Sequence, residues 1–185
     1  NQGSIKNTLD FLIKYKINIC GEQNIAIKHC LMSNDGKLKN IKKIYSHNQT
    51  LSQCSTWISK NCPQAECISS DSNAKAALQA KKYKNAACIA NETCSSLYGL
   101  KIVSQNIHDI HNNTTRFLII GNTEVNKSNS DKTTFVMSVQ NKSGALSKIL
   151  EILSISKISM TKIESIPTKD RNWEYLFLID ILGHI

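Results

Sequence analysis

Arginine is nearly absent from this 185-residue chain: of 23 basic side chains only two, Arg116 and Arg171, are arginine. Proline is as scarce, with two residues, and aromatic residues make up only 6%. The lysines are scattered singly, so the formal net charge of +9 builds no basic motif. Without basic clusters interleaved with aromatics there is no base-stacking or phosphate-tracking surface, which argues against nucleic acid as a partner. A diffuse positive field still attracts small anions. No apolar run approaches the ~18 residues of a membrane span, and no run reads as a charged-then-apolar leader. A cytoplasmic protein without a membrane partner is expected.

The seven cysteines, at 20, 30, 54, 62, 67, 88 and 94, contain no Cys-x-x-Cys. Neither they nor the five histidines show zinc-ligand spacing, so no metal or organic cofactor is expected. An odd number of irregularly spaced thiols reads as reduced and mostly buried. Asparagine is abundant, so Asn-x-Ser/Thr triplets such as Asn91-Glu92-Thr93 carry no weight as glycosylation signals.

What is present is patterned. In so lysine-biased a chain, Arg116 beside two hydroxyls in Asn113-Thr114-Thr115-Arg116-Phe117 suggests a task that lysine performs poorly, a planar two-pronged grip on a carboxylate. The apolar Leu118-Ile119-Ile120 that follows, closed by Gly121, reads as a buried strand. Upstream, Ser4 is placed to cap a helix whose apolar residues Ile5, Leu9, Leu12 and Ile13 recur at helical spacing. Ile17–Cys20 and Ile25–Leu31 read as two strands broken at Gly21-Glu22, and Ile41–Tyr45 as a third. Ser46 to Cys54 reads as a loop feeding a helix, with Cys54 packed in the core beside Leu51 and Ile58. Ser72 starts a second capped helix. Ala86–Ala90 is a buried strand, and the helix from Glu92 to Tyr98 ends at Gly99. Alternating strands and helices of this kind argue an α/β unit with a mixed or parallel sheet.

Residues 122–131 are polar and without apolar period, which reads as a linker. Beyond it, Thr133–Val139 is a strand. Gly144 opens a helix with Leu146, Ile149, Leu150 and Leu153 on one face. Ile158–Glu164 is a strand, and Trp173 to Ile181 alternates as another.

Asn113-Thr-Thr-Arg-Phe with Gly121 behind it resembles the N-x-T-R-F signature of prephenate dehydratases, which convert prephenate to phenylpyruvate with loss of carbon dioxide and water. Ser46-His-Asn-Gln-Thr-Leu-Ser-Gln-Cys54 is similar to the family's S-H-P-Q-A-L-x-Q-C run, with Asn48 in place of proline. The stretch from Asp71 to Leu78 resembles its S-T/N-x-A-A segment, and Ile27, His29 and Leu31 fit an I-x-H-x-L pattern. Tyr98-Gly-Leu100 and Ile107-His-Asp109 fit as well. The resemblance implies a two-lobed, periplasmic-binding-protein-like catalytic domain over 1–121, mostly its second lobe. It further implies that the substrate-binding Glu-Asn-Ser triplet, the first lobe and any fused chorismate mutase segment lie before Asn1. Thr115 would be catalytic, with Arg116, Ser46, Gln53, Ser72 and Asn73 binding prephenate. A homodimer or larger assembly is implied too.

The second unit resembles an ACT domain, a ferredoxin-like βαββαβ amino-acid sensor, here over 132–185 and without its last elements. Asn141 to Leu146 looks like the N-x-P-G-A-L loop, and Glu164-Ser-Ile-Pro167 like E-S-R-P. The resemblance implies L-phenylalanine as effector, held by Asn141, Gly144, Ala145, Leu146, Glu164 and Ser165. Two departures, Ser143 for proline and Ile166 for arginine, imply a weakened response. The competing expectation is a non-catalytic ligand-binding and sensing remnant.

Overall fold

Ala86–Ala90, five uncharged residues in a row, form a strand buried along its whole length. A strand of that kind needs cover on both faces, and the surrounding elements provide it. The computed structural model describes residues 11–12, 14–15, 17–110, 113–140, 142–167 and 175–184. Ser4, Ile5, Leu9, Ile13 and Trp173 lie outside them, while Phe11, Leu12 and Lys14 are helical. The chain divides into two compact units. One is built on Gln23–Phe117 and the other on Leu118–Ile185 with residues up to Glu22.

The elements are β1 (Asn18–Ala26), β2 (Cys30–Ser33), β3 (Lys43–Ser46), α1 (Asn48–Gln53), α2 (Ser55–Asn61), β4 (Glu66–Ser69), α3 (Asn73–Lys81), β5 (Ala86–Ala90), α4 (Thr93–Tyr98), β6 (Lys101–Ser104) and β7 (Thr114–Gly121). After them come β8 (Lys132–Val139), α5 (Ala145–Ile155), β9 (Met160–Pro167) and β10 (Tyr175–Leu182). In the first unit five strands form a mixed sheet in the order β4-β3-β5-β2-β6. Strand β3 runs parallel to β4 and β5, whereas β2 is antiparallel to β5 and β6.

The period of two along β5 sorts the core into two faces. Ala86, Cys88 and Ala90 pack with Ala76, Ala77 and Ala80 of α3. Ala87 and Ile89 face the other way, onto Cys54, Ile58 and Ile107. The first face is built from small side chains on both partners, which lets helix and sheet approach closely. Asn34 holds the far end of α3, its Nδ2 lying 3.1 Å from the carbonyl oxygens of Ala80, Lys81 and Tyr83. Gly99 ends α4 in the left-handed region, at φ +67°, as a helix-terminating glycine should.

Three expectations need correction. Gly21-Glu22 does not break a strand: β1 is continuous and pairs with β7 as a two-stranded ribbon. Gly121 serves the pairing, since a Cβ there would sit a tight 3.3 Å from Cys20 Sγ, whereas one on Gly21 would meet Ile119 Cδ1 at an ordinary 3.6 Å. The run after Phe117 is a strand but is not buried, with Ile119 56% and Ile120 52% exposed. A two-stranded ribbon has no further strand beside it and no sheet interior to sink into. The helix after Ser46 is two helices, interrupted at Cys54, because the Asp109 carboxylate caps α2 by accepting from Thr56 N at 3.0 Å and Trp57 N at 3.1 Å.

In the second unit β10 lies between β8 and β9, antiparallel to both. Its Leu178, Ile179 and Asp180 are buried, and Thr134 Oγ1 donates to Asp180 Oδ1 at 2.7 Å. The expected stripe on α5 is half-buried, while Ile152 and Ile155 off the stripe are exposed. Gly144 precedes α5 at φ +77°. Residues 122–131 contain no helix, and the Asp131 carboxylate closes a turn by accepting from Ser128 N and Oγ. No described helix is long and apolar enough to cross a membrane.

Candidate active site

Because β3 and β4 are parallel neighbours, with Ser46 opposite Ser69, the turns that leave their carboxyl ends lie side by side. In open α/β sheets such ends are where ligands bind. The turn after β3 starts α1, capped by His47, whose Nδ1 accepts from Gln49 N at 3.3 Å. The turn after β4 starts α3, capped by Ser72, whose Oγ accepts from Lys75 N at 3.1 Å. Asn73 ties the two starts together. Its Oδ1 accepts from Ser46 Oγ at 2.9 Å and from His47 N at 3.0 Å, and its Nδ2 donates to Thr50 Oγ1 at 3.0 Å. Ser46 is fully buried beneath, its hydroxyl shared between Asn73 and the Ile89 carbonyl at 2.7 Å.

A pocket of about 310 Å³ opens over these helix starts. Gln53, Ser72, Asn73 and Thr115 line it, together with His47, Thr50 and Asp71; Ile27, His29, Gln49 and Asn113 complete the wall. Four of the six expected catalytic and substrate-binding residues therefore share one cavity. Ser46 and Arg116 do not line it. Successive strand residues point to opposite faces, so on β7 the wall holds Thr115 and not its neighbour Arg116, which is half-buried.

No lysine or arginine side chain is among the described lining residues. The donors offered are neutral: the threonine hydroxyl, the side-chain amides and the N–H groups at the start of α3. The one carboxylate, Asp71, is bonded to and ion-paired with Lys75 one turn along; the hydrogen bond and then the ammonium charge hold its pKa below the usual value. A carboxylate neutralised in this way does not repel an incoming anion as a free one would.

His29 and Asp109 were not singled out as site residues from the sequence. His29 Nε2 lies 2.9 Å from Gln53 Oε1, and Asn113 Nδ2 reaches the same oxygen at 3.4 Å. Burial pushes the His29 pKa down; the Gln53 bond partly offsets this, and His108 adds to the lowering. Asp109 N donates to the Gln53 carbonyl at 2.8 Å. Burial acts to raise the Asp109 pKa, but the N–H donors of Thr56 and Trp57 outweigh it and the net shift is downward. The only sequence signals for these two were the I-x-H-x-L and I-H-D patterns. Cys54 is core, as expected, with burial first and the nearby Asp109 charge second raising its thiol to about 12. All seven cysteines are free.

For the effector residues, Asn141 lies outside the described residues. Gly144 is exposed, and Ala145 and Leu146 are half-buried in the first turn of α5. Glu164 pairs with Lys162 at 2.8 Å, and Ser165 is exposed. The loop that follows β8 and the motif on β9 belong to strands separated by β10.

Comparison with known proteins agrees with this architecture. The family model "Prephenate dehydratase" matches residues 1–125 and that of the ACT domain residues 133–185. The chain is 44% identical over 186 residues to a bifunctional chorismate mutase/prephenate dehydratase of Neisseria gonorrhoeae, covering 99% of this chain and 51% of that protein. Thus the chain spans about half the length of the curated relatives it matches. The prephenate dehydratase of Staphylococcus aureus superposes with a TM-score of 0.86 at 26% identity, over 100% of this chain and 69% of that one. That of Arthrobacter aurescens, solved in complex with L-Phe, gives 0.82 at 28% identity over 98% and 62%. On the match to most of its length, this chain belongs to the prephenate dehydratase family and carries an ACT domain behind the dehydratase segment.

Proposed function

We propose that the protein to which this chain belongs converts prephenate to phenylpyruvate in L-phenylalanine biosynthesis. The observation that supports this reading is the convergence of Thr115, Gln53, Ser72 and Asn73 on one pocket rich in neutral donors. Prephenate carries two carboxylates and a ring hydroxyl. One carboxylate leaves as carbon dioxide, its bonding pair enters the ring, and the hydroxyl leaves as water after gaining a proton. The gain of aromaticity drives the reaction, so the enzyme's task is to hold the dianion, assist the departing hydroxyl and exclude solvent water.

In this reading the Thr115 hydroxyl donates towards the departing hydroxyl. Threonine is a weak acid, so placing a preorganised donor there contributes more than full proton transfer. Gln53 and the N–H groups at the start of α3 bind carboxylate oxygens, favoured by the partial positive charge of a helix start. Ser46 and Asn73 hold the two helix starts in register. Arg116 organises β7 behind Thr115. In the ACT segment Gly144–Leu146, Glu164 and Ser165 are the proposed phenylalanine contacts, weakened by Ile166. We assign prephenate as substrate, phenylalanine as effector and a homodimer as the assembly.

The test is phenylpyruvate formation from prephenate by the full-length protein and its Thr115→Ala variant. Loss of one preorganised donor is expected to lower kcat by roughly 10²- to 10³-fold. A variant with near-full turnover would remove Thr115 from the mechanism. An intact protein that binds prephenate without converting it would be a sensor and not an enzyme.

A further inference from the structure

We propose that His29 is a positioning residue: as the neutral Nε2–H tautomer it turns Gln53 so that the amide NH₂, and not the carbonyl, faces the pocket. The substrate assignment supplies the identity of the anion that this donor meets; the orientation itself follows from the contacts around His29.

Two arrangements satisfy the 2.9 Å contact between His29 Nε2 and the end of Gln53. In one, Nε2–H donates to Oε1 and the amide NH₂ is left for the pocket. In the other, the ring proton sits on Nδ1, Nε2 accepts from the amide, and the carbonyl is left for the pocket. The decision falls on the opposite edge of the ring. His29 is only 4% exposed, and its Nδ1 is buried with no hydrogen-bond partner among the described residues. A buried acceptor left without a donor is tolerated, whereas an orphaned buried N–H is rare and costly. The first arrangement leaves only an idle lone pair at Nδ1; the second buries an unanswered N–H.

With the Gln53 oxygen fixed by the His29 ring, Asn113 Nδ2, 3.4 Å away, is a second donor to it. The oxygen accepts from both. The surrounding backbone fixes the partners. Ile107 N donates to the His29 carbonyl at 3.0 Å, Asp109 N to the Gln53 carbonyl at 2.8 Å, and Ile27 N to the Asn113 carbonyl at 2.7 Å. His108 packs edge-on against His29, with ring centroids 6.4 Å apart. The segment after β6 thus clamps ring and amide together, and the amide is polarised as a donor before any ligand arrives. With no lysine or arginine among the described residues of its wall, the pocket relies on such donors to select a carboxylate over a neutral group.

The direct test is long-range ¹H–¹⁵N correlation of the His29 ring in this chain. The expected pattern above pH 6.5 is a protonated Nε2 and an unprotonated Nδ1. A ring protonated at Nδ1 alone would overturn the proposal. In the full-length protein, His29→Leu is expected to raise the KM for prephenate about tenfold with a smaller change in kcat. His29→Gln, which keeps a donor near the Nε2 position, should restore most of the loss. In a Gln53→Leu background, His29→Leu should add nothing, because it acts through that amide. Fully additive losses would overturn the positioning role. An Nε2–H ring with coupled effects on prephenate affinity, in a protein that never forms phenylpyruvate, would leave this inference standing and remove the dehydratase reading.

Discussion

Asn73 accepts from Ser46 Oγ and His47 N and donates to Thr50 Oγ1, so one carboxamide sets the spacing of two helix starts. If that is its task, Asn73→Ala should cost stability as well as substrate affinity, since it strands the His47 N–H and takes the donor from buried Thr50 Oγ1. We expect a loss of about 1–3 kcal/mol in urea unfolding together with a raised KM. A variant with weakened prephenate binding and wild-type stability would make Asn73 a substrate contact alone. Motif context made Gln53 and Asn73 legible, because Asn73 sits where α3 begins and Gln53 closes the short helix that the Ser46–Cys54 run starts. Histidine 29 was not, because a lone histidine on an apolar strand entry has no local signature. Its meaning depends on Gln53, 24 positions along the chain, and on Asn113, 60 positions beyond Gln53.

At the scale of elements, α3 and β5 meet through six side chains no larger than cysteine, among them Ala76, Ala77 and Ala80, all fully buried. Such a face has no room for a branched residue. Ala77→Leu should therefore lower the urea midpoint by the equivalent of about 1–3 kcal/mol with an unchanged slope; an unaffected midpoint would mean that the helix–sheet spacing is soft. The same elements show what periodicity can and cannot tell. Ala86–Ala90 was readable residue for residue, because an uninterrupted uncharged run between turns has few other homes. Leu118–Ile120 carries the same signal yet lies on an exposed ribbon, since apolar content alone does not count neighbouring strands. The interruption at Cys54 was hidden for another reason: the cap comes from Asp109, 55 residues beyond the break, and local propensity does not report such a partner.

For the molecule as a whole, the shifts of His29 and of the aspartates make acid destabilising. His29 has a folded pKa below its ordinary 6.5, so the unfolded chain binds its proton first. Its contribution is complete above that value and is lost as pH falls from 6.5 through the lower folded value. The carboxyls of Asp35, Asp71, Asp109 and Asp131 are also lowered, from 3.8, and they add their loss only below that value. Urea midpoints should therefore be level between neutrality and pH 9.0, where the raised Cys54 thiol begins to cost stability, and should decline in a first step below pH 6.5 and in a second below 3.8. His29→Gln should erase the first step and leave the second. A single acid transition in both proteins would refute this assignment.

Helix α3 is held by asparagine at both ends, with Asn73 at its start and Asn34 among three carbonyl oxygens at its finish. Asparagine is chemically perishable. Deamidation at Asn34 would exchange a hydrogen-bond donor for a carboxylate facing the oxygens of Ala80, Lys81 and Tyr83, so that attraction becomes repulsion. The lifetime of the helix that borders the pocket is thereby tied to the slow hydrolysis of two side chains, a clock set by storage time and heat and indifferent to folding free energy.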